Sequence, residues 1–144
     1  GTDMIINSNS ISAAIVDLSP VGKHLSEPLI ARINALQVPK FNEPAKLPEW
    51  GFIFSPYVCF TRPVDFLEEK SFLKLMDQYL SLLLTILVSV RANDIDSLDS
   101  MDRLNYQKRY CSNQKRNDKT RSILTKFFGS TWADDYINKI LFEC

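Results

Sequence analysis

The chain has 144 residues, enough for one domain with a sizeable core, and its 45% hydrophobic and 24% charged make-up is that of a soluble globular protein. Its 17 Lys and Arg balance 17 Asp and Glu, which excludes a global attraction to nucleic acid or membrane and leaves electrostatic function to local clusters. One histidine, His24, and three cysteines, Cys59, Cys111 and Cys144, without CxxC spacing give a His/Cys metal site almost no material. They also argue against a disulfide framework and for a reducing compartment.

The chain opens Gly1-Thr2-Asp3-Met4, with no charged-then-apolar leader and no initiator Met, which reads as a start inside a larger protein. Residues 4–6 and 11–18 read as two strands around a turn at Asn7-Ser8-Asn9-Ser10, because Ile11, Ala13 and Ile15 alternate with Ser12, Ala14 and Val16. Pro20 and Gly22 end the second strand. Leu29, Ile30, Ile33 and Leu36 place a short helix over Glu27–Leu36, and the prolines at 39, 44 and 48 make 37–50 a loop. Phe52–Phe60 is rich in β-formers and reads as a strand, with Pro56 placing it at an edge or bulge.

Phe72, Leu75, Met76, Tyr79, Leu83, Ile86, Leu87 and Val90 follow helical spacing, so a long, largely buried helix is expected over Glu68–Arg91. Its apolar run Leu80–Val90 is about half of what a bilayer span needs. The stretch 94–102 holds Asp94, Asp96, Asp99 and Asp102 with no cation, and reads as a linker or an acidic helix start. Helices follow over Leu98–Cys111 or beyond and over Lys119–Phe128, the latter closed by Gly129. Ser130 suits the N-cap of a last helix with Trp132, Tyr136, Ile137, Ile140 and Leu141 on its apolar side. The mixture is an α/β chain whose few strands hint at sequence beyond it.

The densest signal is Arg109–Arg121. Residues 108–126 hold Lys108, Arg109, Lys115, Arg116, Lys119, Arg121 and Lys126 against one acid, Asp118, with an apolar pattern behind them that would anchor the run to a core. Cations and amides near a helix start suit a carboxylate or phosphate, while composition alone favours a solvated helix face. Asp118 alone reads as a salt-bridged N-cap, Asp3 as an ordinary terminal acid, and Asp17 as a structural strand-end residue. No Gly-rich phosphate loop, GxSxG or HExxH is present.

Four segments in order carry a more specific signal: Gly1-Thr2-Asp3-Met4-Ile5, Ile11-Ser12-Ala13-Ala14-Ile15-Val16-Asp17-Leu18-Ser19-Pro20, Leu47-Pro48-Glu49-Trp50-Gly51-Phe52-Ile53-Phe54-Ser55, and the Tyr110–Phe142 region. Together they resemble the ferredoxin-dependent bilin reductases over nearly the whole chain. The Asn117–Arg121 run and the Ser-Ala-Ala-Ile strand favour the branch that makes phycocyanobilin. The resemblance implies a three-layer α/β/α sandwich with a central antiparallel sheet, over a single domain 1–144 that is the C-terminal part of a reductase domain. It implies reduction of biliverdin IXα by electrons from reduced ferredoxin, with no metal or flavin bound. It also implies a monomer in a cyanobacterial cytoplasm or an algal plastid stroma, with no nucleic-acid or membrane partner.

Residue by residue, the resemblance makes Asp3 a proton donor at the bilin nitrogens and lactam system, and Asp118 a neighbouring acid. It makes Lys119 a propionate partner and Asn117 a pocket amide. A family arginine before the Leu-Pro-x-Trp segment falls on Ala45, so Lys46 is the substitute, a point charge without a planar fork. The family's Glu and His on earlier strands have no counterpart here, which implies that the N-terminal strands are missing. Three readings follow: the C-terminal part of a working reductase; a truncated, non-catalytic homologue that binds a bilin or a partner; or a binder of some other anion. Ferredoxin is acidic, so Lys108, Arg109, Lys115 and Arg116 are candidates to meet it.

Overall fold

The computed structural model describes residues 1–7 and 9–143; Ser8, in the first expected turn, and Cys144 lie outside the described residues. The chain divides into two compact units, Gly1–Ala92 and Asn93–Cys144, each considered by itself. With its antiparallel sheet and helices, the chain has the expected α/β character.

In the first unit, β1 (Thr2–Ile6), β2 (Ile11–Val16) and β3 (Cys59–Thr61) form an antiparallel sheet in the order β1-β2-β3. The Asn7 side-chain oxygen accepts from the Asn9 and Ser10 backbone N–H groups at 3.2 and 3.0 Å, an Asx turn joining the first two strands. The register pairs Asp3 with Ile15 and Met4 with Ala14, and Ala14 with Thr61 and Ile15 with Phe60. It shifts between Ile5 and Ile6. That irregularity lets Ile11 and Ala14, three residues apart, both turn to the core.

Two helices cover one face of this sheet. In α1 (Glu27–Asn34) Pro28 occupies the first turn, where its missing N–H costs nothing, and Leu29 and Ile33 are buried. In α2 (Phe66–Leu87) Asp65 caps the N-terminus, its carboxylate accepting from the Glu68 N–H at 2.8 Å. The next two acids tie the helix to distant backbone: Glu68 accepts from the Asn42 N–H at 2.9 Å and Glu69 from the Ile11 N–H at 2.7 Å. Phe72, Leu75 and Tyr79 then join Ile11, Ala14, Val16, Leu29 and Ile33 in one core.

Two expectations for this unit are corrected. The strand over Phe52–Phe60 shrinks to Cys59–Thr61, preceded by a single 3-10 turn at Gly51–Ile53. Pro56 has no N–H for a ladder, and Ser55 is engaged instead by the buried Asp17 carboxylate. The 3-10 turn is tight: a Cβ on Gly51 would stand 2.8 Å from the Leu47 Cβ. In exchange, part of the expected loop flanks β3, with the Ala45 N–H donating to the Phe60 carbonyl at 2.8 Å and Pro44 bridging Thr61. The second correction is α2, which is buried only over its first half. Leu80, Leu84 and Leu87 are exposed, and Val88 just beyond is 90% exposed. Beyond Tyr79 the helix keeps Leu82, Leu83 and Ile86 half-buried against the core.

The second unit holds α3 (Leu98–Gln114), α4 (Asp118–Phe128) and α5 (Ser130–Tyr136), which runs into a π-helical turn at Ile137–Leu141. Ser97 caps α3, its hydroxyl accepting from the Ser100 N–H at 3.2 Å. Gly129, at φ +84°, turns the chain between α4 and α5, a conformation that favours glycine. It takes the cap position expected of Ser130, which is instead the first helical residue. The apolar pattern behind the basic run does not anchor it to a core: α4 buries none of its residues, and Phe127 is 72% exposed. Its aromatics stack on one another instead, with Phe128 to Trp132 at 4.5 Å and Trp132 to Tyr136 at 4.7 Å between ring centroids. Cys59 is free. Among the described residues no helix is long and apolar enough to cross a membrane.

Tyr79 anchors α2 to the irregular segment, its hydroxyl donating to the Tyr57 carbonyl at 2.6 Å. Burial first, then the nearby Asp17 and Cys59, push its phenol up to about 12 from 10.0. The folded state thus holds this proton more tightly than the unfolded chain, so its contribution is complete below about pH 10 and is lost as pH rises towards 12. Tyr79→Phe should lower stability by about 1 kcal/mol at neutral pH and flatten the alkaline loss. Urea unfolding of both proteins between pH 8 and 12 measures this; equal alkaline slopes would contradict it.

Candidate functional site

Strand geometry places Asp3. Successive side chains alternate across a sheet, and directly paired residues share a face. Ala14 and Val16 are buried in the core shared with α1 and α2. Their alternates Ala13 and Ile15 therefore lie on the opposite face, together with the residues paired to them: Ile5 with Ala13, and Asp3 and Phe60 with Ile15. Asp3 is exposed there, while Ala13, Ile15 and Phe60 are half-buried. The result is a carboxyl group beside apolar side chains on the exposed sheet face.

Lys46 follows the residue that flanks the far edge of the same sheet. Its neighbour Ala45 is hydrogen-bonded to Phe60, which completes a row Asp3–Ile15–Phe60–Ala45. Three inter-strand spacings put the two ends about 14 Å apart. Lys46 is exposed.

In the second unit the structure gathers Asn117, Asp118 and Lys119 at the start of α4. Asn117, not Asp118, is the cap: its side-chain oxygen accepts from the Thr120 N–H at 3.3 Å. The reading of Asp118 as a salt-bridged cap is thereby corrected. Asn117 takes the role because its backbone is non-helical, φ −75° and ψ 86°, while Asp118 is already inside the helix. Asp118 and Lys119 are exposed, and neither side chain has a hydrogen-bond or ion-pair partner among the described residues.

The surrounding cations divide by use. Arg121 forms an ion pair with Asp134, linking α4 to α5, and donates to the Lys115 carbonyl at 3.3 Å. Arg109 lies 4.6 Å from the Tyr106 ring centroid, a cation–π contact. Lys108, Lys115, Lys119 and Lys126 have no carboxylate partner among the described residues. Of these, Lys115 and Lys119 flank the start of α4, where helix N–H groups and ammonium groups suit a carboxylate ligand.

Two features escaped the sequence reading. One is the depth of Asp17, which is 2% exposed and accepts hydrogen bonds from Ser19 and Ser55. An isolated Asp after a strand carries no sign of burial. The other is a cavity of about 450 Å³ on the helix-covered side of the first unit, lined by Ile33, Phe41, Tyr57, Cys59 and Tyr79 among others. No charged residue lines it. Burial pushes the Cys59 thiol upward there, away from reactivity.

Residues 1–143 match the family model for ferredoxin-dependent bilin reductase. The chain is 46% identical over 143 residues to a phycocyanobilin:ferredoxin oxidoreductase from Prochlorococcus marinus (strain MIT 9313), covering 99% of this chain and 54% of that protein. It is 44% identical over 144 residues to the protein of that name from Synechococcus sp. (strain CC9605), covering 99% and 58%. It is 35% identical over 145 residues to the one from Trichodesmium erythraeum (strain IMS101), again covering 99% and 58%. The chain thus spans a little over half the length of these relatives.

Loss of the α4 cap should be measurable by itself. Asn117→Ala should lower stability by about 1 kcal/mol and Asn117→Asp should restore it. Urea unfolding followed by far-UV circular dichroism checks this; an unchanged midpoint in Asn117→Ala would remove Asn117 as the cap.

Proposed function

The chain belongs to the ferredoxin-dependent bilin reductase family, and on that premise we propose that it serves the reduction of biliverdin IXα to phycocyanobilin by reduced ferredoxin. The observation that carries this reading is the family match over 143 of the 144 residues. The exposed carboxyl group on an apolar sheet face supports it, because a flat conjugated tetrapyrrole needs such a surface and a local acid.

Reducing one bilin to the other adds electrons and protons in equal number. The electrons enter singly from reduced ferredoxin, so the pigment passes through radical intermediates and each electron is matched by a proton. Asp3 supplies a proton at the pyrrole and lactam end, from the sheet face it shares with Ile15 and Phe60. Asp118 is the second acid. Lys119 and Lys46 neutralise propionates, and Asn117 adds an amide beside Lys119 while capping α4. The protein's share is positioning and proton supply, the electrons being ferredoxin's. Lys108, Arg109, Lys115 and Arg116 form the surface that meets acidic ferredoxin, with an association weakened by salt. The protein works as a monomer in a cyanobacterial cytoplasm or an algal plastid stroma; the relatives named above are cyanobacterial.

In a second reading the chain binds a bilin or a partner without reducing it. Anaerobic incubation with biliverdin, ferredoxin and a ferredoxin-reducing system separates the two. Phycocyanobilin formation supports the first reading, binding without conversion supports the second, and absence of binding overturns both.

Two substitutions probe the assigned roles. Asp3→Asn should lower turnover, or the radical yield of a single reduction, by at least about 100-fold with biliverdin affinity nearly kept. Lys119→Ala should weaken affinity several-fold, the scale of one partly solvated ion pair. Absorbance titration with biliverdin measures the second effect, and unchanged affinity in Lys119→Ala would point to a site for some other anion.

A further inference from the structure

Asp17 follows β2 directly and is almost fully buried. Its Oδ2 accepts from the Ser19 hydroxyl at 2.6 Å and from the Ser55 N–H at 3.0 Å, and its Oδ1 accepts from the Ser55 hydroxyl at 2.5 Å. No cation pairs with it among the described residues. Burying a carboxylate on neutral donors alone is costly, and the end of a strand does not demand it.

The group holds two things together. On its side-chain side, the Ser55 hydroxyl accepts from the Tyr57 N–H at 3.1 Å, and the Tyr57 carbonyl accepts from the Tyr79 hydroxyl at 2.6 Å. That chain of bonds runs from the end of β2 through the 55–57 turn into α2. On its main-chain side, the Asp17 N–H donates to the Gly1 carbonyl at 3.0 Å and its carbonyl accepts from the Gly1 nitrogen at 2.6 Å. Asp17 therefore closes the β1–β2 ladder one step beyond the Thr2–Val16 pair, two residues from Asp3.

We infer that Asp17 is a positioning residue for Asp3: its buried carboxylate locks the end of β2 to the 55–57 turn and so fixes the start of β1 in register. Strand register decides which face a side chain occupies, and a proton donor must be held to within about 0.5 Å of its productive position. The assignment rests on Asp3 acting on a bound bilin, as proposed above. Ser55 shares the role, because it supplies two of the three donors.

The test is the pH titration of the visible absorption of biliverdin bound to the full chain, in wild type, Asp3→Asn, Asp17→Asn and the double variant. Far-UV circular dichroism verifies folding. Asp17→Asn should bind biliverdin within about threefold of wild type yet move the titration midpoint in the same direction as Asp3→Asn, by about half a pH unit or more. The double variant should move no further than Asp3→Asn alone. Ser55→Ala keeps the carboxylate and two of its three donors, should show the same displacement, and decides the matter where Asp17→Asn does not fold. Ser55→Thr should restore the wild-type midpoint. A midpoint unmoved in Asp17→Asn and Ser55→Ala, with Asp3→Asn displaced, overturns the positioning role and leaves the Asp3 reading standing. A midpoint unmoved in Asp3→Asn overturns that reading and this inference with it.

Discussion

The pairing of Asp3 with Ile15, in a sheet whose other face is sealed by α1 and α2, is the constraint on which the first unit's chemistry depends. Ala14 and Val16 must turn to the helices because they fill the core with Phe72, Leu75 and Tyr79. Side-chain alternation then leaves Asp3, Ile5, Ala13, Ile15 and Phe60 for the opposite face. A slip of one residue would drive an unpaired carboxyl into the core, at a cost of several kcal/mol, so hydrophobic packing on one face enforces the position of an acid on the other. Glu69 reinforces this arrangement by tying α2 to the first residue of β2.

The second unit works by another principle. Its helices bury little, and its definition comes from ends: Ser97 and Asn117 cap α3 and α4, Gly129 turns α4 into α5, and Arg121 pairs with Asp134. Charge is presented rather than neutralised. Asp118 and Lys119 stand exposed at a helix start with no ion-pair partner among the described residues.

Periodicity made α2 and the β1–β2 hairpin legible, since a helical stripe and a period-two alternation are direct images of burial. It failed at Phe52–Phe60, where β-forming residues are diverted by Pro56 and by the remote Asp17 carboxylate, a contact spanning 38 positions that no local pattern encodes. It also overstated burial for Leu84, Leu87 and Phe127, because an apolar stripe says that a face can be covered, not what covers it. The basic run was visible, but its division into the structural Arg121 and the free Lys119 needed coordinates. Asp3 was mute by itself; only the resemblance of four ordered segments singled it out. The buried state of Asp17 had no sequence signal at all.

Hydrogen–deuterium exchange of the chain with and without biliverdin tests most directly whether the pigment engages the Asp3 face and, separately, the start of α4. Exchange should slow at the amides of β1 and β2 and in the first turn of α4, including Thr120, while the residues around the cavity lined by Ile33 and Phe41 stay unchanged. Protection confined to that cavity, or none at β1 and α4 under saturating biliverdin, would contradict it.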